Sequence, residues 1–130
     1  MQRHTENFFR ALEHKNWRRV GEFIGNDYRD QWEHDRARVI ERARAVLSYM
    51  NEVHIKHSDA SVRLGERQAR WIARITIEAA PGEIAVLVKE RVNSITTPFE
   101  LEWRRVSAKP WDWKLVRVSN SGLEIPEGVY

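Results

Sequence analysis

Apolar residues recur at helical spacing through the first third of the chain and at every second position through most of the rest. Phe8, Phe9 and Leu12, then Trp17, Val20, Phe23 and Ile24, share the sides of two short helices. Thr5 is placed to cap the first, and breaks fall at "HKN" and "GND". A third helix carries Ala37, Ile40, Ala43, Leu47 and Met50 on one face, with Arg36, Arg38, Glu41, Arg42 and Arg44 on the others. From Glu52 the period becomes two. "VHIKHSDASVRLG" supplies one or two short strands, and Trp71, Ala73, Ile75 and Ile77 alternate with Arg70, Arg74, Thr76 and Glu78. "EIAVLVKERV" reads as a further strand, followed by one carrying Phe99, Leu101 and Trp103, and a last in "WKLVRVS".

Helices first and antiparallel strands afterwards make an α+β fold. One sheet face is apolar, and the three N-terminal helices are its only cover. The opposite face carries Glu100, Glu102 and Arg104, which can meet Arg70, Arg74 or Lys89 across strands. At 130 residues the chain is expected to be one domain, 1–130.

Composition removes several function classes. The net charge of +3 is spread along the chain, and the pI near 9.5 reflects seventeen arginines. Nucleic-acid binding is not expected, because no face or run concentrates positive charge. There is no cysteine, hence no thiolate chemistry. The opening "MQRHTENFFRALEH" lacks the apolar core of a signal peptide, and the longest apolar run, "IAVLV", is far too short to span a bilayer. No membrane partner and a cytoplasmic location are the expectations. Phosphate loops, nucleophile elbows and dinucleotide fingerprints are missing, and no cofactor is expected.

Chemistry-bearing residues gather in "NDYRDQWEHD", 26–35. As an extended stretch it puts Tyr28, Asp30 and Trp32 on one face, with Asp30 a candidate general base beside a tyrosine donor. As a junction it offers Asn26 or Asp27 for a turn and Asp35 for the start of the long helix. A helix beginning early fits the spacing of Tyr28, Trp32 and Ala37 or Ile40 as well. Glu90 is the second candidate: strict alternation sets it with Val86 and Val88 on the apolar face. There a charge must be paired, protonated or pocket-lining. Arg117, on the face of Trp113 and Leu115, and Arg105, on the face of Trp103, are its candidate partners. A bulge would instead turn Glu90 outward. His54 and His57 point to opposite faces of a strand, while His4, His14 and His34 are expected at the surface, so no metal site is expected.

Paired N-terminal helices, "NDYRDQW" leading into "RVIERARAVL", and the tryptophan-bearing final hairpin "DWKLVRVSNSG" together resemble the nuclear transport factor 2-like superfamily, from roughly Thr5 to Asn120. The resemblance implies three helices on a curved, mostly antiparallel sheet forming a cone with a pocket at its wide end. It implies a homodimer through the outer sheet face. It also implies either a cofactor-independent acid–base enzyme of isomerase, dehydratase or hydrolase type, or a non-catalytic association module. No catalytic set carries over residue by residue. Within such a cone Trp32, Trp71, Trp103, Trp113 and Arg117 are candidates to bind a small apolar ligand, with Asp30, Glu90 and Tyr28 the catalytic candidates.

Overall fold

The structure is a computed structural model that describes residues 1–79, 90, 93 and 97–122. Among these residues three helices, α1 (Gln2–Glu13), α2 (Trp17–Phe23) and α3 (Arg36–Leu47), precede four strands: β1 (Val53–Leu64), β2 (Gln68–Ala79), β3 (Phe99–Arg105) and β4 (Trp113–Ser119). The strands form one antiparallel sheet in chain order, β1-β2-β3-β4. The helices cover its apolar face, as the α+β reading requires.

Helix boundaries differ from the sequence reading where local hydrogen bonds override spacing. α1 starts at Gln2, and Thr5 is a buried residue inside it whose N–H bonds Met1 O. Asn16 caps α2 through Arg19 N, and Asp35 caps α3 through Arg38 N at 2.8 Å. The long helix therefore begins at Arg36 and not at Tyr28. It ends at Leu47, while Met50 lies beyond it, fully buried with Leu47 and Val53. Ala37 is exposed.

Inward residues pair in register across the sheet: Ala69 with Trp103, Trp71 with Leu101, and Ala73 with Phe99. Outward, Arg70 meets Glu100 at 3.4 Å and Glu102 at 3.9 Å, and Lys56 meets Glu78 at 3.0 Å. These pairs are more than half exposed on their basic side, so Arg70→Ala is expected to cost less than about 1 kcal/mol. That loss should shrink further in 1 M salt, measured by urea denaturation.

Two irregularities bend the sheet. The first strand is a single long one, broken in register between Ser58 and Ser61 around Asp59 at φ 56°. In β4, Trp103 pairs with Leu115 but Glu102 pairs with Arg117, so Val116 is an extra residue. That bulge reverses the alternation after Leu115. Val118 turns inward, and Arg117 joins Glu102 on the outer face, correcting its expected place beside Trp113 and Leu115.

The segment read as the strand "EIAVLVKERV" lies outside the described residues, apart from Glu90. Glu90 itself is helical and exposed, so it does not stand on the apolar face of a strand. Asn93 is also helical and bonds β2 at Ile77: Ile77 N–H donates to its Oδ1 at 3.0 Å, and its Nδ2 donates to Ile77 O at 3.3 Å.

Candidate functional site

Between the sheet and the helices the interior divides into two ends. At one end rings fill the space. Trp71 and Trp103 are fully buried; Trp103 lies edge-on to His4 and Phe8, and Trp71 edge-on to Phe9 and His57. Trp71 Nε1 donates to Gln2 Oε1 at 2.6 Å. Trp113 is half-buried and bonds Pro110 O through its indole N–H. His4, expected at the surface, is half-buried with Nε2 3.1 Å from Trp113 O, and burial lowers its pKa against that hydrogen bond.

At the other end the side chains leave a cavity of about 270 Å³. α3 contributes Val39, Ile40 and Ala43, and β1 and β2 contribute Ile55, Ile75 and Ile77. Phe99 and Leu101 of β3, with Leu115 and Val118 of β4, close the sheet side, and α1 and α2 supply Phe8, Phe9, Leu12 and Val20. Ile24 and Tyr28 complete the wall. The β4 bulge matters here, because it is what points Val118 rather than Arg117 into this space.

None of the tryptophan candidates lines the cavity: Trp71, Trp103 and Trp113 pack at the filled end, and Trp32 is half-buried in the 30–34 turn. Arg117 and Glu90 are not part of it, and no ion pair joins Glu90 to Arg105 or Arg117 among the described residues. The residues that do line it were legible only as core.

Tyr28 and Asp30 do come together, both buried at 2% and 3% exposure. After α2 the chain runs beside β4, with Gly25 N–H on Leu115 O at 2.9 Å and Arg29 N–H on Val116 O at 3.1 Å. Gln31 extends the pairing through its amide, giving Nε2 to Asn120 O and taking Asn120 N–H on Oε1. The chain then reverses in a turn built on Asp30. Oδ1 accepts the N–H groups of Trp32 and His34, both at 3.0 Å, while Oδ2 accepts the Tyr28 hydroxyl at 2.9 Å and lies 3.5 Å from His34 Nδ1. A side-chain oxygen bonding backbone two and four residues on is what lets aspartate hold such a turn. His34, expected at the surface, is buried by the same turn.

The Tyr28 ring faces the cavity while its hydroxyl faces away. It donates to Asp30. Burial, and after it the Asp30 carboxylate, push the Tyr28 pKa far up from its usual value. Above about pH 10 the unfolded chain loses this proton and the native state keeps it, so the native state binds more protons. Stability should then fall with rising pH, by up to about 1.4 kcal/mol per pH unit. Chemical denaturation between pH 9 and about 11 should show a shallower fall in Tyr28→Phe than in the parent protein.

Among the described residues, no group of three or more histidine and acidic side chains is placed to hold a metal ion. No helix among them is long and apolar enough to cross a membrane.

No family model matches the sequence, and no curated protein matches it. Solved structures do. A Bdellovibrio bacteriovorus protein, Bd1075, is similar at a TM-score of 0.71 and 9% identity over 94% of this chain, which spans only 40% of that protein's length. A nuclear transport factor 2-like protein from Cytophaga hutchinsonii is similar at 0.65 and 11% identity, covering 94% of both chains. A candidate dehydratase of the same family from Streptomyces avermitilis is similar at 0.64 and 13% identity, covering 94% of this chain and 92% of the other. Such identities speak for architecture, which agrees with three helices on a curved antiparallel sheet: the chain has the nuclear transport factor 2-like fold.

Proposed function

We propose that the chain binds a small apolar molecule in the cavity between α3 and the sheet, and does so without acid–base chemistry by Asp30 or Tyr28. The observation that carries this reading is the wall itself: among its described lining residues only Tyr28 bears a polar side-chain group, and that hydroxyl gives its proton to Asp30. A catalyst needs a polar group within reach of its substrate. Asp30 is shut behind Tyr28 and engaged through both oxygens. The dehydratase reading of the Streptomyces neighbour belongs to that protein, and at 13% identity it lends this chain a fold and no site residues. An association module working through the outer sheet face gains less support. That face carries Arg70 bridged to two glutamates and Lys56 bridged to Glu78, where an apolar patch would be expected.

Ala43→Phe tests the reading. Filling the void should hold the melting temperature or raise it, equivalent to about 0.5–2 kcal/mol, while abolishing uptake of an apolar fluorescent probe. Unchanged probe uptake in a folded Ala43→Phe protein would place binding elsewhere and defeat the proposal.

A further inference from the structure

Resting on the binding reading above, we infer that the ligand is uncharged, essentially hydrocarbon, and about ten non-hydrogen atoms in size. Three observations fix these properties. The first is charge. No lysine, arginine, histidine, aspartate or glutamate is among the sixteen described lining residues, so a carboxylate or ammonium on the ligand would be stripped of water with no partner among them. Such a ligand should bind about 100-fold more weakly than its neutral counterpart, or worse.

The second is hydrogen bonding. The one polar side chain among the described lining residues, Tyr28, gives its proton to Asp30. A ligand carbonyl therefore finds no free donor among the described lining residues, which give the site no donor with which to favour an oxygenated compound over its hydrocarbon analogue.

The third is volume. Benzene occupies an apolar cavity of about 150 Å³, so by proportion the 270 Å³ here suits about ten non-hydrogen atoms. Fused bicyclic aromatics and compact branched hydrocarbons have that size.

Three probes test the inference by titration against the whole chain: naphthalene, 1-naphthoate as its charged counterpart, and the larger neutral N-phenyl-1-naphthylamine. Naphthalene should bind, 1-naphthoate should bind about 100-fold more weakly, and Ala43→Phe should remove naphthalene binding. Val39→Trp, from the same wall, serves if Ala43→Phe does not fold. Binding of 1-naphthoate within about tenfold of naphthalene would overturn the charge selection. Tight binding of N-phenyl-1-naphthylamine, lost in Ala43→Phe, with none of naphthalene would overturn the size class while leaving the binding reading standing. No binding of any probe would overturn both.

Discussion

Replacing Asp30 with alanine lowers the stability of the protein by about 3–5 kcal/mol and its melting temperature by about 10–20 °C. The expectation comes from what the carboxylate holds. It is 3% exposed, and two backbone N–H groups and the Tyr28 hydroxyl all donate to it within 3.0 Å. Removing it leaves these buried donors without acceptors and frees the turn that lies against β4. Asp30→Asn keeps one acceptor oxygen for the Trp32 and His34 amides, and should cost less, about 1–3 kcal/mol. Thermal and urea denaturation of the two variants separate this role from catalysis. A general base is commonly held at some expense to stability, so its removal leaves a protein as stable as before or more so. Unchanged stability in Asp30→Ala, accompanied by lost ligand turnover, would therefore return Asp30 to the catalytic candidates.

A comparable loss is expected at the filled end. Trp71→Ala should cost about 3–5 kcal/mol, the range for emptying a large buried ring from a packed core. Trp71 is fully buried, lies 5.3 Å edge-on from both Phe9 and His57, and bonds Gln2 through its indole N–H. It thus ties α1 to the junction of β1 and β2. Trp71→Phe retains most of the ring and loses the hydrogen bond, so about 1–2 kcal/mol is expected. If apolar ligand binding survives in Trp71→Phe, as the separation of filled end and cavity implies, the tryptophans are core and not ligand contacts. A loss of binding without a loss of stability would contradict that division.

The comparison of these two ends shows what the sequence carried and what it did not. Period-two patterning placed Trp71, Ala73, Leu101 and Trp103 on the inner face, and Arg70, Glu100 and Glu102 on the outer, because alternation is a local property of a strand. The bulge at Val116 is not local. It is set by pairing of β4 with β3, and reading straight through it put Arg117 inside and left Val118 unnoticed. Glu90 failed for a related reason, since alternation applies only where a strand exists and Glu90 is helical. In "NDYRDQWEHD" the residue types rightly marked a cluster, with Asp35 capping α3 as the junction reading required. The decisive fact, that the chain folds back along β4 and turns on Asp30, depends on partners roughly ninety residues away, such as Asn120. The residues that line the cavity were hidden for a different reason. Ile40, Ala43, Ile75 and Ile77 have the same pattern whether they touch one another or border a void.

Binding in the cavity requires that void to be dry, apolar and open to a guest. Xenon diffraction from pressurised crystals tests it most directly, because xenon enters apolar cavities and not hydrated polar ones. An anomalous peak is expected between Ile40 and Ala43 of α3 and Ile75 and Ile77 of β2, with no ordered water bonded to Tyr28 inside the cavity. Absence of xenon there, with ordered waters running from the cavity to the Tyr28 hydroxyl or the Asp30 carboxylate, would contradict it and restore a polar, reactive site.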